Sequence, residues 1–360
     1  MKSMQVTEFG APLAAIENVT PVPRGREVLL RVRAAGICHT DLHLWHGGYD
    51  LGHGRTLSLK ERGIKLPLTM GHETVGVVEA VGEAVTDVAP GDTRLVYPWI
   101  GCGRCDVCRD GHENLCLTPG TIGINRPGGY ADRLLVPDAR YLVDLRGLDP
   151  AYAAPLACSG LTCFSALRKI GDATLARAPL VVIGAGGLGL MCIRLLGALG
   201  GVGAIVVEPD AQRRVAALEA GALAAIDPAS DDPAGQIRRA ANQPVQAVVD
   251  LVGNPASAAL GFDVLTKGGK LVMVGLFGGG APWALPLIPI KAIAIQGSYV
   301  GSLAELQELV ELVATRQLPL IPVTTCAMNA LNDGLRKLEA GNVIGRLVMM
   351  PDLAAEYAVG

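Results

Sequence analysis

The stretch GICHTDLHLWHG, residues 36–47, carries one cysteine, three histidines, an aspartate and a threonine. A thiolate and an imidazole are zinc ligands, and imidazole is also the side chain best suited to passing a proton near neutral pH. Partners occur downstream: MGHETVG carries His72 beside Glu73, and PLACSGLTCFSAL carries Cys158. Cys38, His72 and Cys158 together supply two thiolates and one imidazole. That leaves one corner of a tetrahedral ion open, the pattern of a catalytic zinc. Singly, each residue has a plainer reading: a lone cysteine is most often core, and Asp41 would serve as a turn cap. Cys163, Cys192 and Cys326 read as core, and His46 and His53 as residues of a polar loop.

A second cluster, CGRCDVCRDGHENLC, places Cys102, Cys105, Cys108 and Cys116 in a C-x2-C-x2-C-x7-C pattern. Four thiolates so close in sequence can close a tetrahedron around Zn²⁺ with no corner left for chemistry, so the expected role is structural. An iron–sulfur run shares the first two gaps but then spaces its last cysteine by three residues and follows it with proline; here the gap is seven and Leu117 follows. A zinc module for nucleic acid is disfavoured because Asp106, Asp110 and Glu113 offset Arg104 and Arg109.

The third cluster is GAGGLG, Gly184 to Gly189, which fits G-x-G-x-x-G. The pattern is weak alone, since the chain has 46 glycines. Its context strengthens it: the apolar run LVVI precedes it, a helical pattern follows, and Glu208 ends the next apolar run 19 residues after Gly189. In a dinucleotide site Gly184 would make the tight turn, Gly186 would admit the pyrophosphate, and Gly189 would let helix and strand pack closely. Free N–H groups at the helix start, Gly187 among them, would face the phosphates. Glu208 would bond the adenosine ribose and repel a 2′-phosphate, favouring NAD over NADP, with Arg213 and Arg214 nearby to soften that preference.

These clusters need elements to hold them. The chain is 360 residues long, 50% hydrophobic and 18% charged, enough for two ordinary domains with large cores. A net charge of -3 with 4% aromatic residues leaves no basic footprint for nucleic acid. The apolar segment Leu180 to Glu208 is broken by glycines and carries Arg194, so it reads as soluble core and not a membrane span. The N-terminus lacks the apolar run of a signal peptide, and the cytoplasm is the expected compartment. Residues 1–155 show short alternating strands punctuated by Gly, Pro and Asp, with the four-cysteine lobe at 98–118. Residues 156–295 alternate strand and helix, which predicts a doubly wound α/β unit with a parallel sheet. The tail, 296–360, is expected to rejoin the first domain. The segment 47–67 reads as a long polar loop with a turn of helix.

Taken together, GICHTDLH, GHE, the four-cysteine lobe, CSGLT, GAGGLG and the terminal GRLV resemble the zinc-containing medium-chain alcohol dehydrogenases over nearly the whole chain. KLPLTMGHE, CSGLT and VMVGLFG look closest to the tetrameric archaeal and bacterial branch. Some members of that branch lack one lobe cysteine, whereas all four are present here. The resemblance implies a GroES-like catalytic domain plus a Rossmann domain, two zincs and NAD, and a homotetramer, with a dimer as the alternative. It implies hydride transfer between an alcohol and NAD⁺, with zinc as Lewis acid. Matched residue by residue, Thr40 would bond the alcohol and His43 would end the proton relay. Glu73 would sit behind the metal and Asp41 would orient His72. His39 and Arg346 would contact the pyrophosphate, and Thr162 and Leu188 would hold the nicotinamide. Trp45, Tyr49, Trp99, Ile124 and Leu276 are the expected pocket lining, which suits a medium-sized apolar or aromatic alcohol, aldehyde or ketone. Two alternatives remain: a polyol or amino-alcohol dehydrogenase, and a non-catalytic NAD-binding or zinc-scaffold protein, against which the Thr40–His43 pair argues.

Overall fold

The computed structural model describes residues 1–281, 283–319 and 321–352; the end of the expected returning tail, 353–360, lies outside them. The first unit is built on two long antiparallel strands, Val28–Ile37, rich in Val and Leu, and Glu73–Val81, rich in Val, each buried along most of its length. Their register pairs Gly36 with Glu73. The residue leaving one strand, Cys38, and the residue entering the other, His72, therefore emerge side by side at the same sheet end. Strands Thr93–Val96 and Leu142–Asp144 extend the sheet on one flank, and Arg133–Val136 also pairs with Val28–Ile37.

The C-terminal part of the chain returns to this sheet. Strand Arg346–Met350 pairs antiparallel with Val28–Ile37, setting Leu347 opposite Ile37, and Val323–Ala327 pairs parallel beyond it. This return places Arg346 at the same sheet end as Cys38 and Glu73.

The second unit is a six-stranded parallel sheet. Numbered by sequence within that sheet, its order is 3-2-1-4-5-6, running Ala224–Ile226, Ala204–Val207, Leu180–Ile183, Val245–Asp250, Leu265–Met273 and Ala294–Gly297. The order reverses between the strands Leu180–Ile183 and Val245–Asp250, the position where such sheets bind ligands beyond their carboxyl ends. All four residues of Leu180–Ile183 are buried, as the unbroken apolar run requires when helices cover both faces. Helix Ser159–Ile170, ten of whose residues are buried, links the two units, and its N-cap is Cys158.

The segment 47–67 differs from its sequence reading. It forms a small hairpin, Gly48–Asp50 with Thr56–Ser58, followed by turns and no helix. Gly52, His53 and Gly54 all have φ between 54° and 75°, a left-handed run that reverses the chain and cannot sit in a helix. The hairpin reaches across to the second unit: the Gly279 N–H donates to the Asp50 carbonyl at 3.3 Å. A Cβ on Gly52 would lie 2.8 Å from the Gly279 carbonyl carbon, so the two backbones are in direct contact.

Candidate active site

Cys38, His72, Glu73 and Cys158 each offer a ligand atom, and these lie within 4.8 Å of one another, all four residues buried. The Cys38 and Cys158 sulfurs are 3.9 Å apart. A Zn–S bond of 2.3 Å implies a tetrahedral edge of about 3.8 Å, so the spacing fits a single ion. His72 is fully buried and its Nε2 has no hydrogen-bond partner among the described residues. An orphaned buried nitrogen costs free energy unless something ligates it. The two thiols differ: the hydrogen bond between them pulls Cys38 well down and pushes Cys158 well up. Side by side they ionise one at a time, and a dication is what would let both do so. The residues present therefore fit a metal.

The carboxylates stand behind this set. Asp41 accepts from the Cys38 N–H at 2.9 Å, closing the first turn of helix His39–His46, and its other oxygen is 3.4 Å from His72 Nδ1. Glu73 is fully buried and both its oxygens are held by Arg346 Nη2. Burial pushes the Glu73 carboxyl up, to about 7, and the guanidinium pulls against that rise.

The two cysteines of the ligand set and the glycine turn open on one cleft. Cys38, His39, Thr40, His43, Tyr49, Trp99, Ile124, Cys158, Thr162 and Leu276 line it together with Gly184, Gly186, Gly187, Leu188, Gly189, Glu208, Arg213 and Arg346. A Cβ on Gly189 would lie 2.1 Å from the Gly184 carbonyl oxygen, so helix and strand pack as closely as a glycine allows. A Cβ on Gly186 would meet nothing within 4 Å, leaving its backbone bare toward the cleft. Glu208 is held at the turn by the Ala185 N–H at 2.7 Å and the Asp210 N–H at 3.0 Å. Arg213 donates to the Gly341 carbonyl at 2.5 Å, bridging the two units at the cleft's edge, while Arg214 is tied to the carbonyls of Glu208 and Pro209. Burial lowers both His39 and His43 from the ordinary imidazole value.

The remote cysteines also converge. Cys102, Cys105, Cys108 and Cys116 have sulfurs within 4.8 Å of one another, with resolved pairs at 3.4 to 3.9 Å. Two backbone N–H groups, of Cys102 and Thr118, point at the Cys116 sulfur at 3.3 and 3.4 Å, as they would toward a thiolate. Four sulfurs on a tetrahedral edge again fit one ion. Glu113 anchors this lobe by accepting from the Gly101 N–H and from Tyr141 Oη, and it pairs with Arg140 at 2.9 Å.

Residues 24–146 match the alcohol dehydrogenase GroES-like domain and residues 187–315 match the zinc-binding dehydrogenase domain. An NAD-dependent alcohol dehydrogenase of Sulfurisphaera tokodaii is 38% identical over 354 residues, covering 98% of this chain and 100% of that protein. The chain belongs to the zinc-containing alcohol dehydrogenase family. The crystal structure of an alcohol dehydrogenase from Aeropyrum pernix superposes on this family member with a TM-score of 0.87, at 30% identity, covering 98% of this chain and 100% of that one. A further relative, 30% identical over 97% of both chains, is a D-arabinose 1-dehydrogenase (NADP(+)) of Saccharolobus solfataricus.

Within this dehydrogenase fold one expected pocket residue is elsewhere. Trp45 is buried, and its indole N–H donates to the Ala11 carbonyl at 2.6 Å, away from the cleft. On a helix it lies about 200° round from His43, so it cannot share the face that points His39, Thr40 and His43 into the cleft. Asp41, His72 and Glu73 are buried behind the cleft wall. The sequence reading missed Tyr299, Val252, Val274 and Phe277, which line the cleft from loops following strands of the second unit. Phe277 meets the His39 ring at 5.4 Å and Tyr299 meets Trp99 edge-on at 5.8 Å. It also missed Tyr130, whose hydroxyl donates to Asp41 at 2.9 Å. Nothing in the spacing of the motifs points to these residues; a loop at a strand's carboxyl end is the one general signal.

Proposed function

We propose that this protein catalyses NAD-dependent, reversible oxidation of medium-sized primary or secondary alcohols, aromatic ones included, to aldehydes or ketones. Zinc would be held by Cys38, His72 and Cys158, and a second, structural zinc by the four-cysteine lobe. One observation carries the reading: Cys38 and Cys158, the two sulfurs of the buried Cys38–His72–Cys158 set, line the same cleft as the bare Gly186 turn. When bound, zinc supplies Lewis-acid polarisation of the substrate oxygen and the nicotinamide accepts the hydride.

The chain's own residues do the rest. Thr40, beside Cys38 on the cleft face, bonds the substrate hydroxyl and orients it toward the ligand set. His43 stacks on Tyr49 at 4.4 Å and holds its imidazole neutral at pH 7, ready to take the released proton and pass it to water. Asp41 fixes the His72 ring and Glu73 is kept in check by Arg346. Glu208, pinned by the Ala185 N–H, bonds the adenosine ribose and disfavours a 2′-phosphate; His39, Arg213 and Arg346 meet the phosphates or ribose, and Thr162 and Leu188 hold the nicotinamide. Ile124, Leu276, Trp99 and Tyr49 shape a largely apolar pocket.

A sugar or polyol substrate is the second reading, favoured by the D-arabinose dehydrogenase among the relatives. The apolar lining weighs against it. The catalytic unit is assigned to 1–155 and 296–360 and the nucleotide unit to 156–295. We further propose a homotetramer in the cytoplasm. The free edge strand Ala294–Gly297, with exposed Leu285, Leu287 and Ile290 near it, supports self-association, and no helix among the described residues is long and apolar enough to cross a membrane.

The test is a kinetic panel of aliphatic, aromatic, sugar and amino alcohols with NAD and NADP, beside a zinc count. Two zincs per chain with NADH formation from simple alcohols is expected. Full zinc with no turnover of any alcohol would refute the proposal.

A further inference from the structure

We propose that Tyr130 is a positioning residue for the Cys38–His72–Cys158 metal site, acting through Asp41. The inference rests on the reading of that set as a zinc site. Tyr130 sits in the turn Gly128–Tyr130, whose backbone is bonded to the residues leading into His72. Gly128 N–H donates to Thr69 at 2.8 Å, Gly129 N–H to Gly71 at 2.7 Å, and Tyr130 N–H to Met70 at 3.0 Å. The ring then lies against Gly71, where a Cβ would stand 2.6 Å from the ring's Cδ1. Gly71 has φ +92°, so the bare, left-handed turn before His72 and the tyrosine ring require each other.

From that seat the phenol reaches Asp41 Oδ2 at 2.9 Å. The same oxygen accepts the Cys38 N–H at 2.9 Å, while Oδ1 stands 3.4 Å from His72 Nδ1. Tyr130, Asp41 and His72 are all fully buried, so no bulk water can replace any of these contacts. Two donors on Oδ2 fix the carboxylate plane, and the fixed plane aims Oδ1 at Nδ1. Neither ring nitrogen has a hydrogen-bond partner among the described residues; with Oδ1 3.4 Å from Nδ1, the carboxylate favours the imidazole proton on Nδ1 and so the lone pair on Nε2. A single carboxylate thus touches the backbone of one ligand and the ring of another, and Tyr130 sets its orientation. Burial with the Asp41 charge alongside holds the phenol far above its ordinary range, so it stays a donor.

The experiment compares wild type, Tyr130→Phe, Asp41→Asn and the double variant as zinc-loaded full-length proteins. Zinc release to a chromogenic chelator is timed, with Cys38→Ser identifying the phase that belongs to the three-ligand site. The visible spectrum of cobalt-substituted protein reports ligand geometry there. Tyr130→Phe should release that zinc about tenfold faster, the low end for partners outside the ligand shell. It should shift the cobalt bands, leave release from the four-cysteine lobe unchanged, and add nothing to Asp41→Asn. Release within twofold of wild type with an unchanged spectrum would overturn the proposal. So would effects of the two substitutions that multiply, or a Tyr130→Phe protein that fails to fold, since the hydroxyl alone is assigned to the metal. No readout uses alcohol turnover: a chain that holds zinc but oxidises nothing leaves the inference standing, and wild type lacking a Cys38-dependent phase sinks both.

Discussion

Replacing Arg346 by Met would leave Glu73 as a lone buried carboxylate. Glu73 is 0% exposed and Arg346 3%, and Arg346 Nη2 holds both carboxylate oxygens. Removing one member of a buried pair costs about 3–5 kcal/mol, because the survivor keeps its desolvation penalty. In a chain of 360 residues that corresponds to a fall in Tm of roughly 4–7 °C. The pH dependence is a sharper test. Burial already pushes Glu73 up to about 7 despite Arg346, the strongest group pulling it down. Without Arg346 it rises further. A carboxyl whose folded-state pKa exceeds its unfolded value binds more protons when folded, so stability falls as pH climbs between the two values. The variant's deficit should therefore be small near about pH 5 and largest above about pH 7. Scanning calorimetry at both pH values measures it, and Arg346→Met with Glu73→Gln should recover part of the loss, since a neutral amide is cheaper to bury. A Tm at pH 8 indistinguishable from wild type, or a deficit that grows on acidification, would refute the reasoning.

His43→Gln should lower alcohol oxidation about 100-fold at pH 7; because burial depresses His43, the wild-type acid limb of kcat/KM should lie below about pH 6.5 and vanish in the variant. Cys108→Ser should remove one zinc per chain and lower Tm while leaving the rate per folded molecule nearly unchanged, which metal analysis and active-site-normalised kinetics would show. Glu208→Gln keeps an acceptor for the Ala185 N–H but removes the charge, so the preference for NAD over NADP should fall about tenfold, read as the ratio of kcat/KM values. An unchanged ratio would mean that Arg213 and not Glu208 governs the choice.

What the sequence revealed and what it hid divide along physical lines. The ligand candidates were legible because metal chemistry restricts residue type so severely that Cys38, His72, Cys158 and the four-cysteine run stand out of their surroundings. The glycine turn was legible because its mechanics are local: turn, close approach and helix start lie within six residues. Orientation was not. Trp45 looked like pocket because it lies two residues from His43, yet those two residues carry it to the far side of the helix, onto Ala11. Glu73 and Arg346 were each noticed for separate reasons, and their pairing waited on an antiparallel strand return across 273 residues. Tyr130 and Tyr299 come from turns whose partners are distant in sequence. The helical reading of LSLKERG within 47–67 failed because Leu57 and Ser58 are drawn into the strand that pairs with Gly48–Asp50 and Gly63 turns left-handed at φ 83°, leaving only turns between.

Where the hairpin tip meets Gly279, main chain rests on main chain. The spacing of the two units at that point is set by the thickness of two peptide backbones, and one methyl group on Gly52 would press directly on the Gly279 main chain. The contact lies outside the residues that line the cleft, remote from every ligand candidate. Varying position 52 offers a way to alter how the hairpin seats on the second unit while leaving each reacting group in its place.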